Sequence, residues 1–176
     1  MKKLNNKKGF TIVELVIVIA VIGILAAVLI PTFSGVIDKA NESSRVQQTE
    51  NALKSLIVNL NGELKADATY YFCIDQKVYK YDGGKIDFDT PATLPAKADD
   101  KTIVVYSKTE EAADVHKLLP GSNLAYITET NNSNKKEFKL ADGVTIKAVT
   151  DFSKNVVVVE VTPTQQTNNT QSWSNS

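Results

Sequence analysis

Hydrophobic positions change their pattern twice along this chain. From residue 12 to residue 30 the chain is almost unbroken aliphatic. Leu15, Val16, Val18, Ile19, Val21, Ile22, Ile24, Leu25, Val28, Leu29 and Ile30 would encircle a helix formed there, and a helix that is apolar all round must be buried on every side. Pro31 follows. It removes a backbone donor and crowds the preceding turn, which predicts a bend or local melting over residues 27–31. Beyond it, Val36, Ile37, Ala40, Val46, Leu53, Leu56, Ile57, Leu60 and Leu64 recur mostly at helical spacing, with polar residues between them. The helix is therefore expected to resume as an amphipathic one resting on a globular domain. From Thr11 to about Asn61 it would be roughly 75 Å long. Asn61-Gly62 is the expected stop, with Leu64 extending the stripe.

After the helix the period shortens to that of strands. Residues 68–74 and 77–81 are aromatic and branched, the turn Asp82-Gly83-Gly84-Lys85 follows, and 86–88 reads as a short return strand. Residues 90–100 hold two prolines and read as a loop, and 102–107 as the next strand. Thr109 to Leu119 has acids early, a base late and Pro120-Gly121 behind it, which predicts a short helix. Residues 124–128 are expected as a strand and 130–136 as an exposed loop. Residues 137–140, 144–150 and 155–162 are expected to close an antiparallel sheet, ended by Pro163. The remainder is a polar tail that reads as disordered. A long helix first and a run of strands later is an α+β order: a helical spine packed on an antiparallel sheet.

Charge sharpens this picture only at the start. The chain of 176 residues carries 20 Lys plus Arg and 20 Asp plus Glu, for a formal charge of zero. Four of those lysines, Lys2, Lys3, Lys7 and Lys8, precede Gly9, so removing them leaves 16 against 20, or −4. A mildly acidic product does not point to general binding of DNA or anionic lipid.

Three readings compete for the basic, acid-free start and the apolar run behind it. A secretory signal has an apolar stretch of about 7–15 residues and a small-residue cleavage site after it; here the stretch is longer, and Ile30-Pro31-Thr32-Phe33-Ser34 is a poor site. A plain membrane anchor fits better, since residues 10–30 approach the ~20 needed to span hydrocarbon. The preceding lysines would keep the N-terminus cytoplasmic. Glu14 is the difficulty, because an acid near the start of a spanning helix usually has a functional partner.

The third reading rests on order. Lys7-Lys8-Gly9-Phe10-Thr11-Ile12-Val13-Glu14-Leu15 resembles the signal of type IV prepilins and pseudopilins, most strongly over residues 7–14 and extending through about residue 60. The resemblance implies a leader 1–9 cut behind Gly9 by a membrane prepilin peptidase that also methylates the new N-terminus at Phe10. It implies an apolar membrane and filament-core helix over 10–33, with Glu14 as the assembly acid and Pro31 as the helix-bending proline. Residues 34–162 would form the amphipathic helix and β-rich domain, and 163–176 the tail. Implied partners are the peptidase, identical or related subunits in a helical filament, membrane lipid before assembly, and, indirectly, an assembly ATPase and a membrane platform protein. The implied locations are the cell membrane first and the pilus or cell surface afterwards. Many family members staple a C-terminal loop with a disulfide. Cys73 is the sole cysteine here, which favours a Gram-positive pilin or a pseudopilin. The alternatives are a pseudopilin of a type II secretion or DNA-uptake machine and, of another class, a non-polymerising anchored binding protein.

The physical logic of assembly is simple. A partly buried carboxylate is costly unless paired, so a Glu14 that meets the Phe10 amine of a neighbour rewards correct docking. Catalytic chemistry, by contrast, finds little support, and no catalytic residue, cofactor or metal site is expected. His116 sits beside Leu118 and Leu119 with no nucleophile arranged around it. Asp82, Asp87 and Asp89 do not match a calcium loop and read as turn residues. Lys135, Lys136 and Lys139 read as a solvated turn, and Cys73 as a half-buried strand thiol. Three glycosylation sequons, at Asn41, Asn131 and Asn168, are weak signals.

Overall fold

The computed structural model describes residues 9–96, 101–121, 126–133 and 135–164, in two compact units, Met1–Ser44 and Arg45–Ser176. The expected leader up to Lys8, the strand start at 124 and the tail beyond 164 lie outside the described residues. Helix α1, Ile12–Asn59, has residues in both units.

In the first unit the aliphatic side chains from Leu15 to Ile30 expose between 50% and 71% of their surface. Full burial of such a side chain is worth about 1.5–3 kcal/mol, so this stretch leaves on the order of 10 kcal/mol of apolar burial unused. That surface cannot stay in water. The helix is long and apolar enough to cross a membrane by length and composition. Val and Ile favour strands in water, but in lipid a helix satisfies its own backbone, and that decides the conformation. Pro31 lies inside α1, and the helix continues on both sides of it, so no melted segment divides it.

In the second unit the C-terminal part of α1 turns one face inward. Thr49, Ala52 and Leu56 are buried, with Leu53 and Leu60 partly so. The Thr49 hydroxyl donates to the Arg45 carbonyl at 2.7 Å, which hides its polar atom along the helix. The helix ends where Asn61-Gly62 predicts. Asn61 takes a φ of 59° and Gly62 of 103°. Asn61 N–H donates to Val58 O at 3.2 Å and Gly62 N–H to Ile57 O at 2.8 Å, a double cap that uses up two orphan carbonyls.

This face packs on a six-stranded sheet of order β3-β2-β1-β8-β4-β7. The strands are β1 Thr69–Ile74, β2 Lys77–Asp82, β3 Lys85–Asp87, β4 Lys101–Ser107, β7 Val144–Ala148 and β8 Val156–Pro163. Tyr70, Phe72, Val104, Tyr106, Val156 and Val158 meet α1. The opposite face, with Cys73, Ile103, Val105, Val157, Val159 and Val161, is covered by α2, Ala112–Leu118, and by a separate hairpin of β5, Ile127–Asn132, and β6, Lys135–Leu140. Strand β8 is thus buried on both faces, which is why it reads as a near-continuous valine run.

One residue breaks that run. Glu160 is fully buried on the helix side of β8. Lys65, from the segment linking α1 to β1, meets its Oε1 at 2.6 Å while remaining half exposed. The Tyr106 hydroxyl donates to Oε2 at 2.8 Å. Lys65 also donates its backbone N–H to the Tyr70 hydroxyl at 3.0 Å. Burial pushes the Tyr70 phenol up to about 12 and the Tyr106 phenol higher still, so both stay protonated at neutral pH.

The structure differs from the sequence expectation at four points. Strand β7 runs parallel to β4, because the chain crosses the sheet through α2 and the hairpin before returning. Strand β6 pairs with β5 and takes no place in the main sheet. Most of the expected 130–136 loop is strand: pairing continues to Asn132 opposite Lys135, with Ser133 at a φ of 48° in the turn. Both faces of that tip are exposed, so no apolar alternation marked it as strand. Cys73 is fully rather than half buried.

Candidate assembly site at the helix start

Gly9, Phe10 and Thr11 stand ahead of the first helical residue, Ile12. The Gly9–Phe10 peptide is therefore outside the helix, with open space around Gly9 and Phe10 91% exposed. A peptidase needs non-helical, reachable backbone, and this bond provides it.

Three hydrogen bonds fix where the helix begins. The Thr11 backbone N–H donates to Glu14 Oε2 at 2.8 Å, and the Thr11 hydroxyl donates to the same oxygen at 2.7 Å. Glu14 N–H returns a bond to the Thr11 hydroxyl oxygen at 3.2 Å. This is a capping box, with Thr11 as N-cap and Glu14 three residues inside. It also places a carboxylate where the helix dipole favours one. Glu14 is held by Thr11, and no hydrogen bond to Phe10 of the same chain is formed among the described residues. The sequence reading used Glu14 but overlooked Thr11. The signal was present, since Thr-x-x-Glu immediately ahead of an apolar run is the capping-box signature.

At Pro31 the helix loses one donor, and the Ala27 carbonyl loses its usual partner. One residue on, the Thr32 hydroxyl donates to Leu29 O at 2.8 Å and reaches Val28 O at 3.3 Å. That side chain supplies hydrogen bonding to the helix where the proline weakens it.

The other candidates resolve into structure. The Cys73 thiol is pushed up to about 12 by burial, so almost none is thiolate at pH 8. Native protein is expected to resist iodoacetamide for hours at that pH and to alkylate fully in denaturant; rapid native alkylation would contradict the burial. Asp87 accepts backbone N–H bonds from Asp89 at 3.0 Å and Thr90 at 3.1 Å, which holds its carboxyl below the usual range and makes it a turn residue. His116 lies on α2 with its ring 5.2 Å from that of Phe138. Lys136 pairs with Glu129 at 2.8 Å across β5 and β6, so the lysine cluster lies on a strand and not in a turn. Among the described residues no group of His, Cys, Asp and Glu could hold a metal ion.

A family model described as the prokaryotic N-terminal methylation motif matches residues 4–30. A fimbrial protein of Dichelobacter nodosus is 32% identical over 140 residues, covering 76% of this chain and 86% of that protein. The chain belongs to the type IV pilin family. A type IV major fimbrial protein of the same organism is 31% identical over the same shares. The type IV narrow pilus major component of Thermus thermophilus is 34% identical over 110 residues, 58% of this chain and 90% of that protein. No solved structure matches the chain significantly. Membership in the type IV pilin family accounts for the capped helix start and the bare apolar helix together, and aligns the chain with structural fimbrial proteins rather than with enzymes.

Proposed function

We propose that this chain is a structural subunit of a type IV pilus, made as a precursor and cut between Gly9 and Phe10. In this reading Phe10 becomes the N-methylated terminus, Glu14 the acid that pairs with the Phe10 amine of a neighbour, and Pro31 the point where the helix bends as subunits pack. The observation that carries it is the junction itself. A non-helical glycine bond stands directly ahead of a capped helix whose aliphatic surface is bare on every side.

Such a helix is satisfied first in lipid and then among identical helices. Head-to-tail contacts between identical subunits give open helical polymers rather than closed rings. The partition follows: leader 1–9, membrane and filament core 10–33, amphipathic helix and sheet domain 34–162, and tail 163–176. The lysines of the leader favour a cytoplasmic N-terminus before assembly. The required partners are a prepilin peptidase and methylase and, indirectly, an assembly ATPase and a platform protein in the membrane. A pseudopilin of a secretion or DNA-uptake machine would use the same junction. The full-length relatives named as major fimbrial and pilus components support the pilus reading over it.

Mass spectrometry of protein purified from its own cells tests this directly. The expected mature N-terminus is Phe10 bearing one methyl group. An intact Met1, or cleavage beyond Ile30, would sink the reading.

A further inference from the structure

Of the three hydrogen bonds at the helix start, two reach the Glu14 carboxylate, and both fall on the same oxygen. Oε2 takes both Thr11 donors, at 2.8 and 2.7 Å. No donor from the described residues reaches Oε1. The side chain is thus held along its own helix by one oxygen, and the second oxygen is left for an outside donor. We propose that Thr11 is a positioning residue for assembly, holding Glu14 so that Oε1 is presented to the amine of the incoming subunit. The proposal rests on the pilin reading above, which supplies that amine.

The physical gain is preorganisation. A glutamate free to sample its rotamers must be ordered when a partner arrives, and that lost freedom weakens docking. Thr11 orders it beforehand, in the lipid-stored subunit. The same bonds satisfy the Thr11 N–H, the Thr11 hydroxyl and one carboxylate oxygen at once, so the unassembled subunit carries less unpaired polarity at the membrane boundary. The hydroxyl is essential to this arrangement because it both donates to Oε2 and accepts from Glu14 N–H. Serine keeps that chemistry; valine keeps the shape and loses it.

The test is incorporation into mixed filaments. Full-length Thr11→Val, Thr11→Ser, Glu14→Ala and the double variant Thr11→Val/Glu14→Ala are each co-expressed with the unaltered chain. Sheared filaments are then analysed by peptide mass spectrometry, and incorporation is counted per mature, membrane-inserted subunit, so altered cleavage does not enter the ratio. Thr11→Val is expected to incorporate about fivefold less well, the size of one typical lost cap, and Thr11→Ser nearly normally. In the Glu14→Ala background Thr11→Val should cause no further loss, because it acts through Glu14. Normal incorporation of Thr11→Val while Glu14→Ala is much reduced overturns the positioning role and leaves the pilin reading intact. An equal loss with and without Glu14 overturns it too, since a plain helix cap would behave that way. Normal incorporation of Glu14→Ala removes the pairing itself.

Discussion

Glu14→Ala is expected to leave a cleaved, membrane-inserted subunit that enters filaments only at a much reduced, still measurable level. The proposed cleavage would act on the Gly9–Phe10 peptide, which lies outside the helix and shares no hydrogen bond with Glu14 among the described residues. Membrane storage would rest on the bare aliphatic surface, which the substitution does not touch. Docking is different. In the proposed filament these helices would pack together and water would leave the Phe10 amine, so alanine would leave that cation buried without a partner. Truncating one member of a buried charged pair costs about 2–5 kcal/mol, so each docking event should be disfavoured by at least roughly thirtyfold. Glu14→Gln, which keeps the shape and an acceptor but loses the charge, should fall between. Electron microscopy and immunoblotting of sheared filaments, set against the membrane pool, measure both sides of the prediction. Normal filaments from the alanine variant would leave the aliphatic surface as the sole driver of assembly.

The N-terminal device was largely legible in the sequence because each of its parts is local. The apolar run needs no partner in the fold to be recognised, and Asn61-Gly62 stops the helix through its own backbone geometry. Thr11 could have been found by the same means, being three residues from Glu14. What escaped was set by distant pairings. Strand β7 lies parallel to β4 because of the path taken through α2 and the hairpin, and nothing within residues 144–148 encodes a direction. Cys73 reads as a half-buried strand thiol from its run of aromatic and branched neighbours, 70–74, which does not show what covers the strand's second face. The hairpin and α2 cover that face. The hairpin tip was read as a loop because its polar residues have no core to alternate against.

Glu160 is the clearest case of depth that sequence does not show, and it carries the second large effect. A single acid in a valine-rich strand reads as a solvent-facing position. The register places it between Tyr70 of β1 and Val104 of β4, fully buried on the face that meets α1. Its charge is balanced by Lys65 at 2.6 Å and its other oxygen by the Tyr106 hydroxyl. Lys65→Met removes the cation and leaves the carboxylate buried with hydroxyl donors alone. Breaking a buried pair from one side costs about 3–5 kcal/mol, and because Lys65 is half exposed the low end applies, ~3 kcal/mol. For a unit of this size that is a fall in melting temperature of roughly 10 °C. Thermal unfolding of the full chain in detergent, followed by circular dichroism of the sheet, measures it. The triple variant Lys65→Met/Glu160→Leu/Tyr106→Phe removes the charge, its partner and the orphaned hydroxyl together, and should recover most of the loss, since an apolar replacement of a buried pair is often neutral. If Lys65→Met alone proves neutral, the pair is not what ties the segment after α1 to the sheet. If the triple variant recovers stability, the pair's role is to fix where that segment sits. That placement matters locally, because residues 60–68 are the segment that joins α1 to β1.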